Sequence, residues 1–191
     1  MAGAQFLCFG EYVLYKMGDM YSINSCETIE LFYNIRIDLD KLKYAVAITK
    51  IIQDITTENQ NTYKVLQLYL NTLYVIANTD KELDLVYSIF QIRLLSIIGF
   101  RPNIDSCRTC GKKDNLYYFS IKDNSLKCLA CAKQDTGAIK LSETAKDALI
   151  YIIKVDAKKI YSFHITEEAK EDLKLVAKVY LTEKLEREYR I

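Results

Sequence analysis

The sequence has 191 residues, half of them hydrophobic, with 15 tyrosines, no tryptophan, one proline and a formal net charge of +1. That length suits one large domain or two small ones, and the apolar half is enough for a real core. No window is apolar and charge-free for long enough to span a bilayer. Residues 1–8 lack the basic region and apolar run of a signal peptide, so the cysteines are expected in a reducing cytoplasm.

Residues 5 to 33 read as strands. Gln5–Phe9 and Glu11–Tyr15 are rich in aromatic and β-branched residues, Met17-Gly18-Asp19 is a turn signal, and Met20 to Phe32 alternates in part. Three strands with nothing before them leave two open edges and one possible buried face. Cys8 and Cys26 fall in these runs and read as buried, inert thiols.

Helices take over near residue 38. Asp38 or Asp40 can cap a first helix carrying Leu42, Ala45, Ile48, Ile52 and Ile55, which Thr56–Asn59 breaks. A second runs from about Gln60 with Leu66, Tyr69, Leu70, Leu73 and Ile76. The third, Lys81 to Ile98, is apolar nearly all round and reads as the centre of a bundle, stopped by Gly99 and Pro102. Arg93 interrupts it. A guanidinium there needs a carbonyl or carboxylate partner, and the other reading is an anion site.

Cys107-Arg-Thr-Cys110 and Cys128-Leu-Ala-Cys131 form a doubled C-x2-C separated by seventeen residues. The spacing lies in the window for a four-cysteine zinc site, with Gly111 supplying the knuckle's positive φ. Four thiolates close a tetrahedral shell, so the metal is expected to be structural. Single iron is the competing occupant that spacing leaves open. A disulfide pair lacks a secretory context, and a redox C-x-x-C lacks its βαβ setting. Between the pairs, Leu116–Ile121 and Ser125–Lys127 read as a hairpin too short to bury a core, held by the metal.

Residues 1–100 carry 8 basic and 11 acidic side chains, residues 101–161 carry 12 and 7, and residues 162–191 carry 6 and 7. The middle segment is the positive one, consistent with phosphate contacts and equally with a solvated charged face. Beyond the ribbon, Ser142 can cap a helix through Ala145, Leu149, Ile152 and Ile153. Tyr161–Ile165 reads as extended or as a short linker, and His164, the single histidine, as structural because no partnered nucleophile accompanies it. Thr166 caps a last helix with Glu167 and Glu168 in its first turn and Ala169, Leu173, Val176, Tyr180, Leu181 and Leu185 as its stripe.

The stretch from Phe90 through Leu94-Leu95 and Gly99-Phe100-Arg101-Pro102 to Cys107-Arg-Thr-Cys110-Gly111 resembles the central signature of the RecO family of bacterial recombination mediators. Gly10–Lys16 resembles the family's late barrel strands, Ile29–Phe32 the lead into its helices, and Leu141-Ser142 with the closing helix its C-terminal pattern. The resemblance implies an α+β chain. A truncated N-terminal OB-type β segment is expected over 1–36, a mainly α-helical bundle over 37–103 and 134–191, and an inserted four-cysteine zinc ribbon over 104–133. Family members open with a five-stranded barrel, of which only the last strands are expected here.

The resemblance further implies a bacterial, cytoplasmic, nucleoid-associated protein that is not an enzyme. It would bind single- and double-stranded DNA, RecR and the C-terminal tail of single-stranded-DNA-binding protein, and would assist RecA loading and strand annealing. One structural Zn²⁺ would sit on Cys107, Cys110, Cys128 and Cys131. Arg108, Lys112, Lys113, Lys122 and Lys127 are the candidate DNA contacts, and Arg93 or Arg101 the cation for the partner tail. The alternative is a zinc-stapled helical scaffold that binds only protein. A metal-dependent hydrolase is more remote, since it needs an open metal position.

Overall fold

The computed structural model describes residues 5–58 and 60–191; residues 1–4 and Asn59, the end of the expected helix break, lie outside them. Among the described residues, 5–33 hold two strands rather than three. Residues 5–8 form a turn in which Leu7 takes a left-handed φ of 59° and the Cys8 amide donates to the Gln5 carbonyl. Strand β1, Phe9–Met17, then pairs antiparallel with β2, Met20–Glu30. Among the described residues the sheet holds only this pair, and both strands are open along their outer edges there. Val13, Tyr15, Met17, Met20 and Tyr21 are all exposed, so neither face is fully covered. Cys8 and Cys26 are consequently half-buried and not the buried thiols expected from their surroundings in sequence.

Phe32, buried and left-handed, links the hairpin to the helices. Helix α1 spans Tyr33–Arg36 and α2 spans Leu39–Ile55, capped by the Asp38 carboxylate, which accepts from the Asp40 and Lys41 amides. Helix α3, Tyr63–Asn78, buries Leu68, Leu73 and Ile76. Helix α4, Leu83–Ile97, is the bundle's centre: Val86, Ile89, Phe90, Ile92, Leu94 and Leu95 are buried around its circumference, against α2, α3 and the two long helices that follow the ribbon. It stops at Gly99, whose φ of 108° lets the Phe100 amide reach back to the Leu95 carbonyl.

The ribbon is a three-stranded antiparallel sheet whose first strand in sequence lies between the other two. Strand β3 is Leu116–Ser120, β4 is Ser125–Cys128 and β5 is Ala138–Lys140. The hairpin expected to lack a core has one. Phe119 and Leu126 are fully buried and belong to the same apolar cluster as the helices. Docking on the bundle supplies the burial that a free hairpin could not. A short helix α5, Leu129–Ala132, follows β4.

Helix α6, Glu143–Lys154, is capped by the Ser142 hydroxyl, and α7, Glu167–Leu185, by the Thr166 hydroxyl, as their sequences indicate. A 3-10 turn over Ala157–Lys159 joins them. Tyr161 beyond it is buried and shares a 2.6 Å hydrogen bond with the Thr72 hydroxyl of α3. His164 lies exposed in the connecting loop.

Candidate metal centre and charged surface

The first knuckle is a tight backbone loop. The Cys107 amide donates to the Lys112 carbonyl and the Gly111 amide to the Cys107 carbonyl, both at 2.7 Å, while Gly111 adopts a φ of 75°. Glycine meets that angle without a side-chain clash. The second knuckle uses the start of α5: Cys128 stands at its N-cap and Cys131 in its body. Facing each other, the knuckles bring all four sulfurs within 4.8 Å of one another, with Cys110 and Cys128 at 3.7 Å. Sulfurs about 2.3 Å from a tetrahedral ion stand about 3.8 Å apart, so the cluster fits a metal ion held by four protein ligands.

The thiols sit in unequal fields. Burial disfavours the Cys107 thiolate, but backbone hydrogen bonds from Cys128, Cys110 and Thr109 outweigh it and bring its pKa down to about 6. Cys131 is pushed up to about 12, first by its hydrogen bond with Cys110 and then by burial. A divalent cation among them would stabilise every thiolate.

Around this centre the expected basic residues divide. Arg108, Lys112, Lys113 and Lys122 are exposed. Arg108 donates to the Asp123 carbonyl at 3.0 Å, which pins the first knuckle to the β3–β4 turn. Lys127 does not join them. It is 5% exposed, and its ammonium is clamped between Asp123 and Asp135, the latter at 2.8 Å. The carboxylate that buries it lies eight residues away across the helical turn, beyond any local spacing signal. Ser120 also donates to Asp135, so a buried lysine, a serine and a carboxylate satisfy one another beneath the sheet.

Arg93 finds the carbonyl partners that a buried guanidinium needs. Its Nη1 donates to the carbonyls of Ile152 and Ile153, at 2.9 and 2.8 Å, in the last turn of α6. Its Nε is buried without a partner. Burial, and after it the nearby Arg101, hold the guanidinium pKa below its ordinary value, against Asp156. Arg93 and Arg101 share a pocket of about 500 Å³ with Lys64 and Lys154 and with apolar walls from Ile97, Ile153 and Val155. Lys64 and Lys154 come from α3 and α6, so only the folded chain reveals this cluster.

No helix among the described residues is long and apolar enough to cross a membrane. Residues 36–190 match the sequence family described as recombination protein O C terminal. The chain is 41% identical over 191 residues to the DNA repair protein RecO of Acetivibrio thermocellus, covering 99% of this chain and 76% of that protein. It is 29% identical over 188 residues to the DNA repair protein RecO of Alkaliphilus metalliredigens, covering 98% and 76%. A third relative, the RecO of Caldicellulosiruptor bescii, is 29% identical over 191 residues. The family match spans every helix from α2 to α7 and both cysteine knuckles, and the chain belongs to the RecO family of DNA repair and recombination proteins.

Proposed function

We propose that this chain is a recombination mediator that binds DNA and protein partners and performs no chemistry of its own. The observation that carries the reading is the set of exposed cations on the ribbon, Arg108, Lys112, Lys113 and Lys122, in a family member whose relatives are DNA repair proteins. Exposed lysines and arginines of this kind contact phosphates without reading sequence. Single- and double-stranded DNA are both partners on this reading, and strand annealing and assistance to RecA loading with RecR follow as its roles. The ribbon carries one Zn²⁺ on Cys107, Cys110, Cys128 and Cys131, closed to substrate and therefore structural. The segment 1–36, which holds the hairpin, is an OB-type element, 37–103 and 134–191 are the mainly helical body, and 104–133 is the ribbon, whose sheet is extended by β5 from the second body segment.

The pocket at Arg93 and Arg101 is the site for the C-terminal tail of single-stranded-DNA-binding protein. It combines apolar walls with cations, the features that capture a terminal carboxylate preceded by a hydrophobic residue.

Fluorescence anisotropy with a labelled single strand and a duplex at two salt concentrations tests the DNA reading. Affinity should fall with salt by about 0.7 to 0.9 in log–log slope per phosphate contacted. Absence of binding at low salt, with tail peptide still bound, would leave the protein-only scaffold as the function.

A further inference from the structure

A basic and aromatic groove borders the metal centre and takes in Lys112. The second knuckle, β3, β5 and the start of α6 enclose an open groove of about 640 Å³. Tyr117, Tyr118 and Leu129 supply its aromatic and apolar wall, and Lys112, Lys133 and Lys140 its charge. Glu143 is the one carboxylate that lines it.

The two tyrosines reach this groove through a defect in the sheet. Consecutive side chains on a regular strand face opposite ways. Here the register slips between Leu116, which pairs with Cys128, and Tyr118, which pairs with Lys127. A bulge of this kind re-aims the side chains beside it, and Tyr117 and Tyr118 both line the groove, half-buried. Lys146 lies over the Tyr117 ring, 4.9 Å from its centroid. The Tyr118 side chain has no hydrogen bond, ring or cation contact among the described residues, and the residue's neighbour across the strands on the groove side is Lys140. Lys112, Lys133 and Lys140 are exposed and have no carboxylate partner among the described residues. Lys127, by contrast, is neutralised in place by two carboxylates.

An aromatic face flanked by unneutralised cations is what an unpaired nucleotide requires: the base stacks, and the lysines hold the phosphates on either side. A duplex keeps its base faces inside the stack and can use only the lysines. We infer that this groove binds single-stranded DNA, with a base stacked on Tyr118 and the flanking phosphates on Lys112, Lys133 and Lys140. The inference rests on the DNA-binding reading and adds the strand state and the residues that discriminate it.

The chain has no tryptophan, so Tyr118→Trp installs one reporter while keeping a stacking surface. This variant is titrated with a fifteen-nucleotide oligothymidylate, with a duplex, and with an acidic peptide. Anisotropy of the labelled DNAs is followed in parallel on the unaltered chain. Oligothymidylate should quench the tryptophan and the duplex should not. Tyr118→Leu should weaken single-strand binding on the order of tenfold while leaving duplex binding unchanged. Lys133→Gln with Lys140→Gln, both at exposed positions, should reduce the single-strand salt slope by about 1.4. A silent tryptophan beside undiminished DNA binding would overturn the groove and leave DNA binding standing elsewhere. Quenching by the peptide and not by oligothymidylate would assign the groove to a protein partner and overturn the inference. Failure of the unaltered chain to bind either DNA would overturn this inference together with the reading beneath it.

Discussion

Phe119 of the ribbon and Tyr180 of the last helix meet edge to face, their ring centroids 5.1 Å apart and their planes at 77°. Both are fully buried, and the Tyr180 hydroxyl donates onward to the Phe100 carbonyl just past α4. One aromatic contact therefore joins the ribbon, the central helix and the last helix.

Phe119→Ala should destabilise the whole chain and not only the ribbon, by about 3–5 kcal/mol. Helical circular dichroism and metal content should be lost together on heating. Loss of the ribbon alone, with the helical transition unmoved, would show that the ribbon folds apart from the bundle.

The metal should have a narrower effect than in a free-standing zinc finger. Elemental analysis should find one zinc per chain, and iron in gently purified protein would refute that assignment. Chelation should raise amide exchange in residues 107–112 and 128–131. The β3 amides near Phe119 should stay protected, because their burial comes from the helices.

The ion pair under the sheet sets an acid limit. The hydrogen bonds from Lys127 and then Ser120 hold the Asp135 carboxyl below its ordinary 3.8. A depressed folded pKa contributes stability that is complete above the unfolded value and lost as pH falls through the folded one. Asp135→Asn should cost about 2 kcal/mol at neutral pH. That difference from the parent should shrink below about pH 4 in urea titrations. A difference constant down to pH 2 would show that the charge is immaterial.

Sequence and structure part company in instructive places. The long helices were legible because Asp38, Ser142 and Thr166 cap α2, α6 and α7 through contacts two or three residues away, and because apolar residues recur at helical spacing in α2, α3, α6 and α7 and fill α4; the four-residue α1 and α5 are too short to show a period. The four cysteines were legible for the same reason of local spacing. Lys127 was not: its neighbours in sequence look solvated, and only the return of the chain at Asp135 buries it. Strand β5 has three residues, too few to show alternation. The turn at Leu7 replaced a strand because an apolar run alone does not specify backbone conformation.

Arg93 and Arg101 should separate stability from recognition. Arg93→Met removes the donor to the last turn of α6 and should lower stability by about 2 kcal/mol. Exposed Arg101→Ala should leave the melting temperature unchanged and weaken binding of an acidic tail peptide several-fold, read by calorimetry. Unchanged peptide affinity in both variants would remove this pocket as the tail site.

The β1–β2 hairpin should drive association at high concentration, since both outer edges are open among the described residues and Val13 and Ile23 are exposed. Val13→Lys should suppress concentration-dependent sedimentation without altering the melting temperature. Association that persists in this variant would place the contact elsewhere.

The position of α4 also governs the order in which the molecule can be made. Its circumference is apolar, yet α6 and α7, which cover part of it, begin at residues 143 and 167. A ribosome adding about 5–20 residues per second leaves this helix partly bare for several seconds after it emerges. During that interval the nascent chain displays the surface that chaperones recognise. A shift in reading frame or a nick before residue 167 would leave that surface permanently uncovered, and quality-control proteases would remove the product as a misfolded protein.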